Sequence, residues 1–475
     1  MRRLAIAVLM FVLALTPFAA SAQTTVTGSG FQVQNLSEST NANIKITYYK
    51  ADGTVDANQD AIVPAGGSLT FFNGQGGTVP MSATAGFKGS VVISSDQPIA
   101  AITNLIGTGL GEAYGGFSSG TQTTSVPLIT RNNFGVSTAL TVQNTGSAAT
   151  TVTVTYTPGV AGNAGATDTA SIPAGASVTF LQSSKTELGA RFVGSATVAA
   201  AAGGSIVAIV NQENGSQLLT YNGFTNGASS VGVPLLVANN YGALTGLQIQ
   251  NSGSTDASVT VTYAPNTVTT AGTASSVCAT PPAVPAFTLA AGASKTLIQA
   301  LGNAAEGFDN FFASCRYVGG ATINATGGTV VAIVNQVAGT SASAYEGFNT
   351  ASATASTKAP LVMANNFGLF TGIQVQNVGT TAEVTVTYGP NTVSGADACP
   401  TPTAKKATIA AGASFTFIQL GGAESDGFDS QFATCRYVGS ATVTAATGGK
   451  VVAIVNEAST NPAGDGLYTY DAFNQ

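Results

Sequence analysis

Residues 151–156 read Thr-Val-Thr-Val-Thr-Tyr, so Val152, Val154 and Tyr156 fall on one side of an extended chain and Thr151, Thr153 and Thr155 on the other. A period of two predicts a half-buried strand with an apolar face on a core and a threonine face in water. β-Branched threonine suits the exposed pleat. Ile206 to Val210 is apolar at consecutive positions, which predicts a strand covered on both faces or lying at a sheet centre. Asn144-Thr145-Gly146, Asn251-Ser252-Gly253 and Asn377-Val378-Gly379 supply Asn and Gly where tight connections need them. No segment sustains a 3.6-residue apolar period with caps, so the pattern predicts strands throughout.

The same landmarks return four times in one order. Val33-Gln34-Asn35, Val142-Gln143-Asn144, Ile249-Gln250-Asn251 and Val375-Gln376-Asn377 are followed by Thr47-Tyr48, Thr155-Tyr156, Thr262-Tyr263 and Thr387-Tyr388. An Ala-Gly turn comes next, at Gly66, Gly175, Gly292 and Gly412, then a strand from Gly89, Gly194, Gly319 or Gly439. An apolar strand ends in Asn104, Asn211, Asn335 or Asn456, and each unit closes on Tyr-x-x-Phe, led by Tyr114, Tyr221, Tyr345 and Tyr470. Landmarks recurring together define tandem modules. With about seven strands in about 110 residues, the chain is expected to be all-β, four tandem immunoglobulin-like antiparallel β-sandwiches after a cleaved signal peptide. The boundaries are 1–22 for the leader, then 23–121, 122–228, 229–355 and 356–475 for modules 1 to 4. Set end to end they would make a rod.

Modules 2 to 4 open on a proline strand: Val126-Pro127-Leu128, Val233-Pro234-Leu235 and Pro360-Leu361-Val362. Counting back the same distance from Asn35 reaches Pro17, inside the leader, so module 1 is expected to lack its first strand. Either Thr24 to Gly28 caps the sheet edge this leaves, or another chain fills it by strand addition.

The Val-x-Asn-x-Gly turn, the Val-Thr-Val-Thr-Tyr strand and the Ile-Pro-Ala-Gly-Ala-Ser turn from Ile172 to Ser177 resemble CARDB-like and related Ig-like modules of secreted bacterial cell-surface proteins. The wider set of landmarks is similar to tandem repeats of uncharacterised extracellular proteins of Chloroflexota-type bacteria. The resemblance spans Gln23 to Gln475 and implies an extracellular structural or adhesive role without catalytic residues. Module 1 departs from it, with Asn35-Leu36-Ser37 in place of Asn-x-Gly.

Composition narrows the function. Only 8% of the 475 residues are charged, with 21 acidic against 15 basic, a poor match to nucleic acid, whose phosphates need clustered Lys and Arg. Histidine is absent, which excludes an imidazole base, a Ser-His pair and a His-ligated metal. The chain is therefore expected not to be an enzyme, and no cofactor is expected. Arg2 and Arg3, the apolar run Leu4 to Leu15 and the small residues Ala20-Ser21-Ala22 form a secretory leader cut between Ala22 and Gln23. The run is too short to span a bilayer, so the mature chain is expected to have no transmembrane segment. Expected partners are copies of itself or other cell-surface proteins and polysaccharides. The function expected is a secreted structural or adhesive repeat protein, self-assembling into a surface layer or filament, with carbohydrate binding as the alternative.

The four cysteines fall as Cys278 and Cys315 in module 3 and Cys399 and Cys435 at matching places in module 4. Module symmetry favours one disulfide within each, as export permits. Asp56, Asn58 and Asp60 have the opening spacing of a calcium loop, but Ala61 stands where such a loop needs glycine, so a turn is the plainer reading. Glu306 with Asp309, and Glu424 with Asp426 and Asp429, are solvated acidic loops or cation sites. The strand-end residues Asn104, Asn211, Asn335 and Asn456 are expected to hold loop backbone, and the tyrosines of Tyr-x-x-Phe to pack in cores.

Overall fold

A computed structural model describes residues 26–37, 39–73, 79–107, 109–459 and 465–474; the leader and its Ala22 and Gln23 junction lie outside the described residues. Each module is a pair of antiparallel sheets. In module 2, Thr167–Ile172, Thr150–Ala161, Phe192–Ala200 and Thr123–Arg131 lie side by side in one sheet. Ser177–Leu181, Ser137–Asn144, Ile206–Glu213 and Leu218–Asn222 form the other. Val152, Val154 and Tyr156 pair with Ala200, Val198 and Ala196, and all six are buried between the sheets. The alternating threonines face outward, as a two-residue period requires. Modules 3 and 4 repeat this order.

The Val-Gln-Asn landmark is structural. Asn144 is fully buried; its Nδ2 donates to the carbonyls of Ala148 and Ile172 at 2.8 and 2.9 Å, while its Oδ1 accepts from the Gly146 amide at 2.9 Å. Asn251 and Asn377 make the same three bonds. A buried amide with every polar atom paired fixes the turn after the strand and the neighbouring loop together.

Module 1 differs. Among the described residues its first sheet holds Val55–Val63, Ala42–Lys50 and Gly89–Ser95 alone. The counterparts of Gly89–Ser95 are covered by the proline strands, Thr123–Arg131, Ser230–Ala238 and Ser356–Ala364. Among the described residues no strand lies on the outer side of Gly89–Ser95. Val26 and Gly28 do not cap that edge: they extend Val26–Asn35 in the opposite sheet, pairing with Gly107 and Ile106. Among the described residues its buried core is Phe31, Val33, Ala42, Ile44, Ile46, Tyr48, Val63 and Phe71.

The modules do not form the end-to-end rod. Their last strands, Leu110–Gly115, Leu218–Asn222, Ser341–Glu346 and Leu467–Asp471, each pack against two of the others, and module 1 meets module 4 as well as module 2. The four strands close a circuit around a shared axis. Modules 3 and 4 also help complete the core of the module before them, since Ile333 of module 3 is buried among module 2 residues and Ile454 of module 4 among those of module 3. Among the described residues no helix is long and apolar enough to cross a membrane.

Candidate functional site

The axis collects buried acids. Two residues before each landmark tyrosine stand Glu112, Leu219, Ser343 and Tyr468; one residue after stand Gly115, Asn222, Glu346 and Asp471. Glu346 accepts from the Asn222 amide and shares a hydrogen bond with the carboxyl of Asp471. Burial raises both carboxyls above their usual range, Asp471 the further because Glu346 lies beside it. Glu112 is also pushed well up by burial. Asp465 ties three modules to its own, accepting from the Ala342 and Leu218 amides at 2.8 and 3.3 Å and donating its own N–H to Gly109 at 2.9 Å. The strand-end asparagines belong to this joint. Asn335 exchanges hydrogen bonds with Gln212, and Asn456 with Gln336, across successive modules. They pair with side chains of a neighbouring module and not with loop backbone, while Asn211 accepts from Thr220 and Asn104 is exposed.

The outward-facing feature is a hairpin tip repeated three times. Asn133 and Val136 exchange backbone hydrogen bonds at 2.9 and 3.0 Å around the two residues Phe134 and Gly135, both left-handed, with φ of 51° and 85°. This is a turn whose twist suits the flanking strands, and its first position ordinarily takes Asn, Asp or Gly. Tyr241 and Phe367 occupy it in modules 3 and 4, with φ of 52° and 53°. A bulky residue there is sterically costly, yet these rings are 79%, 60% and 85% exposed. Each is backed by an arginine, with Arg191, Arg316 and Arg436 at 5.1, 4.7 and 4.2 Å from the ring centre. The arginine Nε in turn donates to Asn133, Asn240 or Asn366 at 2.8 to 2.9 Å.

Two of these arginines also bridge modules. Arg191 pairs with Glu306 of module 3, and Arg316 with Asp426 of module 4 at 3.0 Å, both latter side chains 4% exposed. The two acidic loops are thereby drawn into joints and turn caps: Asp309 and Asp429 accept from the amides of Phe311 and Gln431, and Glu424 pairs with Lys405 at 3.4 Å. Disulfides join Cys278 to Cys315 and Cys399 to Cys435. They lie beside the tips, because Asn239 and Asn365 donate to the carbonyls of Cys315 and Cys435 at 2.9 and 2.8 Å.

Asp56, Asn58 and Asp60 are neither a turn nor a loop; they lie on the strand Val55–Val63. Alternate residues of a strand stand nearly 7 Å apart, and Asp56 is engaged by Thr84 while Asn58 accepts from Thr47. The landmark tyrosines clasp the proline strands, donating to Leu128, Leu235 and Leu361. The proline strands alone do not point to these tips. The available signal was an aromatic residue just before the turn glycine, three times, with one arginine per module at a matching place.

No protein-family profile matches the chain, and no curated protein matches it. Among solved structures it is similar to the crystal structure of a tetra-tandem repeat in the extending region of a large adhesion protein, at 15% identity and a TM-score of 0.10, covering 95% of this chain and 96% of that one.

Proposed function

We propose that this chain is a secreted, non-catalytic repeat protein that works by adhesion at the cell exterior, with the three Asn–aromatic–Arg tips as its contact points. The observation that carries this is the placing of exposed Phe134, Tyr241 and Phe367 in left-handed backbone, where Asn or Gly would be easier. Strain kept at an exposed position in three modules points to use of the side chain. Two disulfides suit an oxidising exterior, and the resemblance to Ig-like modules of bacterial surface proteins points the same way. Carbohydrate is a second class of ligand the tips favour, since each ring has one face on an arginine and sits beside an asparagine amide. Self-assembly into a layer or filament is the further reading.

The test is retention of the chain from Gln23 onward on cell-wall material, with soluble polysaccharides as competitors, alongside light scattering at rising concentration. The triple variant Phe134→Asn, Tyr241→Asn, Phe367→Asn should lose retention while its Tm stays level. Competition by a soluble polysaccharide would favour the carbohydrate reading, and concentration-dependent growth abolished in the variant would favour self-assembly. Equal retention by the variant would remove the tips from the function.

A further inference from the structure

Three of the four modules show what their fourth sheet position holds. In modules 2, 3 and 4 a nine-residue proline strand lies antiparallel beside the strand that follows the disulfide or arginine loop. Val126, Val233 and Ala359 pair with Ala196, Ala321 and Ala441, and the register then shifts at the Pro-Leu step in every case. The landmark tyrosine clasps that bulge. The hydroxyls of Tyr221, Tyr345 and Tyr470 donate to the leucine carbonyl and accept the leucine amide at 3.2, 3.1 and 3.2 Å. In modules 2 and 3 a second wall comes from the next module, whose Ile333 or Ile454 is fully buried against the slot.

Module 1 has all of this except the strand. The edge Gly89–Ser95 is uncovered among the described residues, with Val91 and Ile93 only partly buried. Tyr114 stands where the other three clasps stand, beside Thr103. Ile209 of module 2 occupies the wall position of Ile333 and Ile454 but remains partly exposed. We infer that module 1 is an acceptor for an extended segment of another protein, nine residues or so in length, bearing a small or β-branched residue, then Pro-Leu, then an aliphatic residue, and added antiparallel to Gly89–Ser95. The slot continues the interfaces already made between modules 2 and 3 and between 3 and 4. A second copy of this chain is not the donor, because its own three proline strands are held in their own modules.

The probe is a labelled peptide with the sequence of Thr123–Arg131, titrated into the chain from Gln23 onward and followed by fluorescence anisotropy. It should bind, and amide exchange across Gly89–Ser95 should slow. A peptide with Asp at the positions of Val126 and Ile129 should not bind. Tyr114→Phe should weaken binding about fivefold, the loss of one buried hydrogen bond. A chain carrying the Thr123–Arg131 sequence tethered ahead of Val26 should fill its own slot, lose peptide binding and protect the same amides. No binding by the peptide, equal binding by its Asp form, or undiminished binding to the tethered chain would each overturn the inference.

Discussion

Glu457 breaks the pattern of the axis. The corresponding residues of modules 2 and 3 are Gln212 and Gln336, which reach across to Asn335 and Asn456 of the next module. Module 4 has a carboxyl at this position, and burial alone pushes it from 4.5 to about 7. The folded chain therefore holds a proton that the unfolded chain releases, so stability falls as pH rises from about 4.5 to about 7 and stays reduced above it. Two and a half pH units at about 1.4 kcal/mol each set the effect at about 3.5 kcal/mol. Glu457→Gln should leave stability unchanged at pH 4 and raise it by up to about 3.5 kcal/mol at pH 8. Glu112, Glu346 and Asp471 titrate in the same direction, but they are common to both chains and cancel in the difference. Guanidinium unfolding of both chains at pH 4, 6 and 8, with amide exchange of Val451–Ser459 to localise the change, measures it. A gain that is the same at pH 4 and pH 8 would refute the reasoning, because a neutral amide then improves packing and not charge.

Reducing the disulfides should destabilise modules 3 and 4 by about 4 kcal/mol each, from closed loops of 37 and 36 residues; exchange should rise with reductant first and most in those modules. Asp426→Asn should cost about 3 kcal/mol or more because it strands the Arg316 charge in the joint. Glu306→Gln should cost under about 1 kcal/mol, since the Arg191 and Glu306 side chains are 30% and 25% exposed; denaturant unfolding of the two variants tests the contrast. Raising pH above the ordinary carboxylate range should speed exchange of Ser341–Glu346 beyond its intrinsic rise, as the carboxyls Glu346 and Asp471 lose the proton that burial makes them hold.

What was legible in the sequence follows from what a single strand can report. Period-two alternation around Val152 and Tyr156 records which face meets the core, and that holds in the fold because the core lies within the module. The recurring landmarks locate strands and turns for the same reason. The axis was not legible, since Glu112, Ser343 and Asp471 look like the polar face of an edge strand until strands of two other modules pack against them. Asp56 to Asp60 misled because acidic spacing alone does not distinguish a loop from the solvent face of a strand. The tips fell between these cases: the turn was plain, but the left-handed angle at Phe134 that makes its ring informative exists only in three dimensions.

The repeat also separates structural residues from those free to act. Where four modules keep a residue and bury it, as with Asn35, Asn144, Asn251 and Asn377, the fold accounts for it completely. The exceptions lie in modules 1 and 4. Among the described residues no proline strand covers the edge of module 1 and no residue of another module joins the core of module 4: Leu361 is 36% exposed where Leu128 and Leu235 are 9% and 6%. Among the described residues Arg436 stacks on Phe367 with no carboxylate like those that modules 3 and 4 give Arg191 and Arg316, and Phe367 is the most exposed of the three tip residues. Modules 1 and 4 meet at the axis through Leu110–Gly115 and Leu467–Asp471, so that joint is already made. The surface left uncommitted among the described residues is the edge Gly89–Ser95 of module 1, beside Ile209 of module 2, and there a partner gains most by adding the strand that the other modules already contain.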